Sequence, residues 1–293
     1  MTGLLRQSSG QAYAEVIGDP IAQSKSPLIH NFWLGKLGIA AEYRACHVAP
    51  AGLAEYLAVR RADPQWRGCN LTMPHKQAVI PMLDQLDPLA ARVAAVNTVV
   101  PGSDAVLRGF NTDVPGFLEP LKHQLSQRHH WRMARVLGTG GAARAIVAGL
   151  LDHGVLIVLA GRDLHKAQAM LDDFAPGGDH HVAEINHFAE PTTFAFDDRE
   201  GCLDLVINAS ALGMSGQPPL RFDLSHAPPG SICYDIVTSP VDTAFLQAAR
   251  AAGFATIDGL AMLIGQAAVA FEKFFGQPAP RAYDAELRAL LTT

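Results

Sequence analysis

The sequence predicts an α/β fold with two domains, in which helices cover both faces of mainly parallel sheets. The chain has 293 residues, which is enough for two domains of ordinary size. Hydrophobic residues make up 49% of the chain and charged residues 17%, a balance typical of a globular protein with a large core. Apolar segments of strand length alternate with segments of helix length, and this alternation favours parallel sheets.

The first half of the chain shows this alternation most simply. Gly18-Asp19-Pro20 ends the first predicted strand, and Ser26-Pro27 begins a helix with Ser26 at the N-cap and Pro27 at the first position. The predicted strands of this half are 13–17, 41–47, 66–71, 96–100 and 106–110. The later predicted helices are 52–60, a short one after Lys76, 88–94 and 112–124.

The second half repeats the pattern. Residues 155–160 form a nearly continuous apolar run, as is usual for a strand buried in a parallel sheet. The segment 176–201 is polar and rich in Gly, Asp and Pro, and it gives no clear pattern. The predicted strands are 135–137, 155–160, 203–208 and 232–235, and the predicted helices are 141–151, 164–174, 259–275 and 280–291.

Composition and charge exclude several classes of protein. The formal net charge is −5, so the chain has no basic footprint for nucleic acid. No apolar run reaches the length that spans a membrane, and residues 1–11 lack the apolar core of a signal peptide. The four cysteines form no CxxC pair and no zinc-site spacing, as expected of reduced thiols. We therefore expect a cytoplasmic protein without a metal, a nucleic-acid partner or a membrane partner.

A glycine-rich turn joins the strand 135–137 to the helix that follows it. The turn reads Gly138-Thr139-Gly140-Gly141-Ala142, and such glycines let the backbone approach a pyrophosphate that the helix N-terminus stabilises. The third glycine of the usual dinucleotide pattern is absent, and Ala145 could allow the close helix packing instead. The turn predicts a dinucleotide site, and the alternative is a tight turn that binds no ligand.

The end of the next strand bears on the choice between NADP and NAD. Arg162 favours NADP, because a guanidinium pairs with the oxygens of a 2′-phosphate in bidentate fashion. Asp163 could instead hold the ribose hydroxyls, as acidic residues do in NAD enzymes, or it could be the N-cap of the helix 164–174.

Polar residues also follow the first predicted strand. Ser24 and Ser26 are two residues apart, so in an extended segment their hydroxyls point the same way. Beside a helix N-terminus, two such hydroxyls would suit a carboxylate. The alternative for Ser26 is a plain N-cap.

Two further polar motifs, 70–76 and 111–113, carry a candidate acid–base pair. Asn70 and Thr72 share one face at the end of a strand, and Pro74 then turns the chain and aims Lys76. Lysine is a proton donor whose pKa shifts readily when it is buried, and Asp113 could hold its ammonium and accept a substrate hydroxyl. The alternative is a solvated surface lysine. An acid–base pair followed by a dinucleotide loop predicts a dehydrogenase that reduces a polyhydroxylated substrate.

Together and in this order, the motifs resemble those of the shikimate dehydrogenase family. The resemblance extends over about residues 13–270, nearly the whole chain. It rests on Ser24-Lys25-Ser26-Pro27, Asn70 to Lys76, Val96-Asn97-Thr98, Asn111-Thr112-Asp113 with Gly116-Phe117, Gly138 to Ala145, Asn208-Ala209-Ser210 with Gly213-Met214, and Asp258-Gly259 with Met262-Leu263 and Gln266.

The resemblance implies a domain arrangement and a reaction. It implies a substrate-binding and catalytic domain over 1–113 with a mixed, mainly parallel sheet. A Rossmann-like NAD(P)-binding domain over 114–258 follows, and C-terminal helices over 259–293 return to the first domain. The family reduces 3-dehydroshikimate reversibly to shikimate with NADPH, in the pathway to chorismate and the aromatic amino acids. The expected partner is a small molecule (shikimate, 3-dehydroshikimate or quinate), and the expected assembly is a monomer or homodimer.

The resemblance also implies roles for individual residues, with Lys76 and Asp113 as the catalytic pair. On a helix Gly259, Met262 and Gln266 fall on one face, which agrees with a single wall that touches both cofactor and substrate. The implied substrate-binding residues are Ser24, Ser26, Asn70, Thr72, Asn97 and Gln266. The implied cofactor-binding residues are Gly138, Thr139, Gly140, Gly141, Ala142, Arg162, Asp163, Ser210, Gly259 and Met262.

Two departures from the family pattern leave an alternative open. Thr238 stands where the family usually has a tyrosine close to the substrate, and Asp163 stands where the biosynthetic enzymes usually have a threonine. The alternative is a quinate/shikimate dehydrogenase paralogue that uses NAD or acts on a related cyclic polyol acid. A methyltransferase-like Rossmann protein and a non-catalytic sensor are further alternatives, and the intact pair of Lys76 and Asp113 argues against both.

Overall fold

The computed structural model describes residues 10–104, 106–194 and 201–292. The chain divides into two compact units, one formed by Met1–Thr112 with Ala267–Thr293 and the other by Asp113–Gln266. We call them unit 1 and unit 2. The expectation of no signal peptide falls mostly on residues 1–9, which lie outside the described residues.

Unit 1 contains a mixed sheet with the strand order β2-β1-β3-β5-β6-β4. The pairs β1/β2, β1/β3 and β4/β6 are parallel, while β3/β5 and β5/β6 are antiparallel. The sheet is therefore mixed and mainly parallel, as the resemblance implies. Its strands are β1 (Ala12–Gly18), β2 (Ala41–His47), β3 (Trp66–Leu71), β4 (Gln85–Leu86), β5 (Thr98–Pro101) and β6 (Leu107–Phe110).

Unit 2 contains a fully parallel sheet with the strand order β12-β11-β10-β7-β8-β9. Numbered within the unit, this is the 3-2-1-4-5-6 order of doubly wound Rossmann sheets, with the reversal of order between β7 and β10. Ligands of such sheets bind beyond the strand ends at this reversal point. The strands are β7 (Trp131–Leu137), β8 (Leu156–Gly161), β9 (His181–Glu184), β10 (Cys202–Asn208), β11 (Ile232–Asp235) and β12 (Ala255–Ile257).

Helices alternate with the strands in both units. The division between the units falls inside the longest helix, after Gln266. Unit 1 contains α1 (Ser26–Leu37), α2 (Leu53–Arg61), α3 (His75–Ala78) and α4 (Pro88–Val93). Unit 2 contains α5 (Asp113–Leu118), α6 (Lys122–Ser126), α7 (Gly141–Leu151), α8 (Leu164–Phe174) and α9 (Ala244–Ala251). The last helices are α10 (Gly259–Phe275) and α11 (Asp284–Thr292).

The C-terminal part of α10 supplies aromatic side chains to the core of unit 1. Phe271 lies edge-on to Trp33 with ring centroids 5.6 Å apart, and it stacks on His30 at 5.8 Å. All three side chains are fully buried. Residues 267–292 therefore complete a core that the first part of the chain begins.

The predicted fold class is confirmed, and most predicted elements lie near observed ones. The strands β2, β3 and β11 and the helices α7 and α8 have the predicted bounds. The prediction missed β4, β9, β12 and α9. The three strands have two to four residues each, which is too short for a periodic pattern to show.

Two predictions about helices are wrong, one about the continuity of a helix and one about its N-cap. The helix predicted over 112–124 is divided into α5, a 3-10 turn at Glu119–Leu121, and α6. Pro120 breaks it, because proline has no N–H to donate and its ring clashes with the preceding turn. Ser26 is the first residue of α1 and Lys25 is the N-cap, so the serine does not cap the helix.

Gly116 lets α5 pack directly against α10 within unit 2. A Cβ atom at this position would lie 2.7 Å from the Cβ of Gln266 and closer still to its backbone nitrogen. The adjacent Phe117 is fully buried and stacks on Tyr234, with ring centroids 5.1 Å apart. The Gly-Phe pair that follows Asp113 in the motif therefore serves packing.

We expect Gly116→Ala to lower the free energy of unfolding by about 1–3 kcal/mol, because the added methyl group has no room. Urea unfolding followed by circular dichroism measures the change. Gly35→Ala is the matched control, since nothing lies within 4 Å of its Cβ position in α1 and alanine is the better helix former. An unfolding midpoint of Gly116→Ala equal to that of the wild type would contradict this close packing.

Candidate active site

The loops that follow β1 and β3 lie side by side in unit 1. The backbone N–H of Thr72 donates to the carbonyl of Ile17 at 3.0 Å, and that of Asp19 donates to the carbonyl of Met73 at 3.0 Å. Gly18 makes this approach possible, because a Cβ there would overlap the Thr72 methyl group. Both loops follow the carboxyl ends of neighbouring parallel strands, and ligands of α/β proteins bind beyond such strand ends.

The paired geometry predicted for Ser24 and Ser26 is wrong. Ser24 lies in a turn, with its N–H donating to the carbonyl of Ile21 at 3.0 Å, so the segment is not extended. The Ser24 hydroxyl accepts from the backbone N–H of Ser26 at 3.3 Å, at the start of α1. The two serines are nevertheless adjacent at a helix N-terminus, and their predicted carboxylate role does not require an extended backbone.

Lys76 belongs to the short helix α3 and is half-buried. The preceding residue, His75, is fully buried, and its Nε2 lies 2.7 Å from the carbonyl oxygen of Val48. The carbonyl of Lys76 accepts from the N–H of Val96 at 2.8 Å. These bonds fix the backbone of Lys76 beside the segment that carries Asn97.

Asn97 joins three segments of unit 1. Its Oδ1 accepts from the N–H of Thr112 at 2.7 Å, and its Nδ2 donates to the Thr112 hydroxyl at 2.9 Å. Its carbonyl accepts from the N–H of Leu71 at 2.8 Å and from Nδ2 of Asn70 at 3.1 Å. The structure thus brings two predicted substrate-binding residues, Asn70 and Asn97, into direct contact.

Asp113 is buried and opens α5, immediately after Thr112. The neighbouring Asn111 donates from Nδ2 to the carbonyl of Ala95 at 2.9 Å. The first segment of unit 1 therefore ends in two successive residues, Asn111 and Thr112, that are held by side-chain hydrogen bonds. The predicted catalytic carboxylate follows directly. Thr98 and Thr112 stand inside the quoted motifs, but sequence reasoning gave them no role.

The glycine-rich loop of unit 2 lies at the reversal point of its sheet. Gly138 has φ +128°, and a Cβ there would lie 2.7 Å from the carbonyl oxygen of Ala209, which follows β10. Nothing lies within 4 Å of the Cβ position of Gly140, so space is open above the loop. Gly141 begins α7, whose first N–H groups have no partner within the helix. This is a cradle of the kind that receives a pyrophosphate.

Arg162 and Asp163 follow β8 and are exposed. The Asp163 carboxylate accepts from the N–H of Lys166 at 3.1 Å, so the predicted N-cap of α8 is confirmed. Gly161 brings the end of β8 against the glycine-rich loop, since a Cβ there would lie 2.9 Å from the Thr139 methyl group. The backbone at Arg162 therefore lies next to the glycine-rich loop.

Ser210 lies in a hydrogen-bonded turn after β10. Its hydroxyl donates to Oδ1 of Asn208 at 2.7 Å and accepts from the N–H of Leu212 at 3.1 Å. Nδ2 of Asn208 donates in turn to Asp235 at 3.0 Å. Both donors of Ser210 are used within the turn, because its N–H also bonds to Asn208. The Ser210 hydroxyl therefore has one remaining lone pair with which to accept a hydrogen bond from a ligand.

Asp235 ends β11, is fully buried, and holds the loops around it. It accepts from the N–H of Val237 at 3.0 Å and from the Thr243 hydroxyl at 2.8 Å, besides Asn208. Burial raises the pKa of Asp235 above its ordinary value, and the hydrogen bonds only partly oppose this. Sequence reasoning took this residue only as part of the strand.

The first turn of α10 packs on the loop after β11. A Cβ on Gly259 would overlap the carbonyl oxygen of Val237, so only glycine fits there. Met262 is buried in the core of unit 2, and Nε2 of Gln266 donates to the carbonyl of Leu263 at 2.8 Å. Gly259 and Met262 therefore have packing roles in addition to the predicted contact with cofactor.

Within the described ranges, no group of three or more His, Cys, Asp or Glu side chains is arranged to hold a metal ion. Among the same residues, no helix is both long and apolar enough to cross a bilayer.

The two units define a class of protein. One has a doubly wound sheet with a glycine cradle at its reversal point, and the other carries a buried polar network at its strand ends. This is the class of two-domain α/β proteins with a dinucleotide-binding Rossmann fold.

Comparisons with known proteins identify the family within this class. Residues 16–99 match the model of the shikimate dehydrogenase substrate binding domain, and residues 259–286 match that of the shikimate 5′-dehydrogenase C-terminal domain. The shikimate dehydrogenase (NADP(+)) of Sphingopyxis alaskensis is 48% identical over 280 residues, which are 95% of this chain and 96% of the relative. The chain belongs to the shikimate dehydrogenase family, which removes the methyltransferase alternative.

Solved structures agree with this assignment. The shikimate 5-dehydrogenase of Thermus thermophilus, in complex with NADP(H) and shikimate, has a TM-score of 0.78 and 33% identity, covering 96% of this chain and 99% of the other. The quinate dehydrogenase of Corynebacterium glutamicum, in complex with NAD, has a TM-score of 0.80 and 30% identity, covering 95% and 99%.

The raised pKa of Asp235 predicts a specific dependence of stability on pH. Above the unfolded-state pKa of about 3.9, the unfolded chain loses this proton while the folded chain retains it, so the contribution to stability falls until the pH passes the folded-state pKa. Urea unfolding of the wild type and of Asp235→Asn between pH 4 and 8 isolates the effect. We expect the wild-type free energy of unfolding, relative to the variant, to decrease as pH rises and then level off. A difference that grows with pH would contradict the assigned direction.

Proposed function

We propose that this protein catalyses the reversible NADPH-dependent reduction of 3-dehydroshikimate to shikimate, with Lys76 and Asp113 as the catalytic pair. The observation that carries the proposal is the 48% identity, over 95% of the chain, to a relative named shikimate dehydrogenase (NADP(+)). The motif from Asn70 to Lys76 stands at the strand ends of unit 1, where a substrate site is expected, which supports it.

The chemistry of the reaction suits the proposed residues. NADPH, when bound, supplies a hydride to the carbonyl carbon of the substrate. Negative charge then grows on the carbonyl oxygen, and the Lys76 ammonium stabilises this charge and donates a proton to it. Asp113 orients the ammonium and accepts a hydrogen bond from a substrate hydroxyl. Reversal of these steps oxidises shikimate.

The remaining predicted residues bind the two ligands. Ser24 and Ser26, at the start of α1, take the carboxylate. Asn70, Thr72, Asn97 and Gln266 hold the ring hydroxyls and the carboxylate region. The loop from Gly138 to Ala142 receives the pyrophosphate, and Arg162 pairs with the 2′-phosphate. Gly259 and Met262 border the nicotinamide, and Ser210 also binds the cofactor.

A second candidate is a paralogue that oxidises quinate or uses NAD. Thr238 in place of the usual tyrosine supports it, as does the similarity to the quinate dehydrogenase of Corynebacterium glutamicum that is bound to NAD. The N-cap bond of Asp163 weakens it, because one carboxylate oxygen is already bonded to the backbone of α8.

We expect kcat/KM to be highest for shikimate with NADP⁺ among the four combinations of shikimate or quinate with NADP⁺ or NAD⁺. Initial rates of nicotinamide reduction measure all four. A preference for quinate or for NAD⁺ would favour the second candidate, and no turnover of either acid would contradict both.

Lys76→Met should lower kcat by about 10²–10⁴-fold with a smaller change in KM, because it removes the proton donor. Lys36→Ala is the control, since the Lys36 side chain pairs with Glu286 between α1 and α11. Equal loss of kcat in both variants would argue against a specific role for Lys76.

Arg162→Ala should raise KM for NADP⁺ by about 10–100-fold, the effect of losing charge-assisted hydrogen bonds, and leave KM for NAD⁺ nearly unchanged. Arg250→Ala serves as the control, because Arg250 is an exposed residue of α9 paired with Asp242. Parallel changes for both cofactors would remove Arg162 as the determinant of cofactor choice.

A further inference from the structure

A chain of hydrogen bonds in unit 1 runs in a single direction. The Tyr43 hydroxyl donates to Oδ1 of Asn70 at 2.6 Å, and Nδ2 of Asn70 donates to Oγ1 of Thr98 at 2.9 Å. The Thr98 hydroxyl donates to Oδ1 of Asn97 at 3.1 Å, and Nδ2 of Asn97 donates to the Thr112 hydroxyl at 2.9 Å. Each of the five side chains is buried.

Backbone groups fix the orientation of both amides in this chain. Nδ2 of Asn70 also donates to the backbone carbonyl of Asn97 at 3.1 Å, and a carbonyl can only accept. Oδ1 of Asn97 accepts from the backbone N–H of Thr112 at 2.7 Å, and an N–H can only donate. If the Asn70 amide were reversed, its oxygen would face the carbonyl oxygen of Asn97, and if the Asn97 amide were reversed, its NH₂ group would face the N–H of Thr112. The direction of the hydrogen-bond chain therefore follows from the backbone.

The polarity determines what Asn70 can offer a ligand. Both hydrogens of its amide are used, one on Thr98 and one on the carbonyl of Asn97. Its Oδ1 has two lone pairs, and the Tyr43 hydroxyl occupies one of them. The remaining lone pair accepts a hydrogen bond from a hydroxyl but can make none with a carboxylate or a carbonyl oxygen.

Tyr43 is itself held from two sides by α1. The ring of His30 stacks on its ring at 3.9 Å between centroids with an interplanar angle of 6°. Asn31 donates from Nδ2 to the Tyr43 carbonyl at 2.7 Å and accepts from the Tyr43 N–H at 2.9 Å. Burial lowers the pKa of His30 to about 3, so the stacked ring is neutral near physiological pH.

We propose that Tyr43 is a positioning residue that holds Asn70 as a hydrogen-bond acceptor for one substrate hydroxyl, so that the site selects a hydroxyl donor at that ring position. The proposal rests on the proposed function, in which Asn70 contacts the substrate. Tyr43 reaches the substrate only through Asn70. Without the Tyr43 hydroxyl, the lone pair of Asn70 Oδ1 that it occupies is left to water, and Oδ1 loses the donor that fixes where its other lone pair points, so the selection weakens.

Fluorinated substrates test the acceptor role directly, because fluorine has nearly the size of a hydroxyl and cannot donate a hydrogen bond. The probes are shikimate and its 4-deoxy-4-fluoro and 5-deoxy-5-fluoro analogues, all oxidised at C3. For the wild type we expect kcat/KM to fall at least about tenfold for one analogue, since a site built to bond a hydroxyl rejects a group that cannot pair with it. Asn70→Ala should remove most of that discrimination.

Tyr43→Phe tests the positioning role, because it removes only the hydroxyl and keeps the stacked ring. We expect KM for shikimate to rise about five- to tenfold with little change in kcat, and the discrimination to shrink towards that of Asn70→Ala. Tyr56→Phe is the matched control, since the Tyr56 hydroxyl is also buried in unit 1 but donates to Glu15 at 2.7 Å. It should lower stability without changing KM or the discrimination.

Several results would overturn the proposal. One is a discrimination between shikimate and its fluorinated analogue that is equal in the wild type and in Tyr43→Phe. Another is a change in KM for shikimate that is equal in Tyr43→Phe and Tyr56→Phe. If the wild type does not turn over shikimate, the proposed function fails, and the side-chain amide resonances of Asn70 then decide the positioning role. Exchange protection of these hydrogens that falls in Tyr43→Phe but not in Tyr56→Phe supports it, and unchanged protection refutes it.

Discussion

The double hydrogen bond between Asn97 and Thr112 is the constraint on which the strand ends of unit 1 depend. It fixes both the backbone and the side chain of the residue just before Asp113. The same Asn97 accepts from Leu71 through its carbonyl, so the ends of β3 and β6 and the start of β5 are held as one piece. Asn97 thus connects the three segments through buried hydrogen bonds of its side-chain amide and its backbone carbonyl.

In unit 2, the loops at the strand ends are positioned by glycines, which have no side chain. Gly138 meets the segment after β10, and Gly259 meets the segment after β11, each at a distance that a Cβ would prevent. These contacts bring backbone, and not side chains, to the reversal point of the sheet, where a dinucleotide would meet N–H groups. The buried Asp235 then fixes the same two segments through Asn208 and Val237. Glycine and one buried carboxylate therefore shape this end of the sheet together.

The sequence predicted the fold class and the places of most motifs because these depend on local signals. Strand length, apolar runs and the glycine-rich turn are visible in a short window, and the bounds of α7 and α8 followed from them. The orientation of the Asn70 amide was not predictable, because it is decided by the backbone carbonyl of Asn97, which lies 27 residues away. The paired geometry of Ser24 and Ser26 failed for a similar reason, since a turn closed by Ile21 overrides their spacing.

The discontinuity of unit 1 has a consequence for the order of folding during synthesis. Unit 2 is one continuous stretch, Asp113–Gln266, and all of its described strands have been synthesised before α10 is complete. The aromatic core of unit 1 waits longer, because His30 and Trp33 are covered by Phe271 only when residues 267–292 have been made. The unit that is encoded second therefore has its whole sequence first, while the core formed around the N-terminal sheet depends on the last helices for its completion.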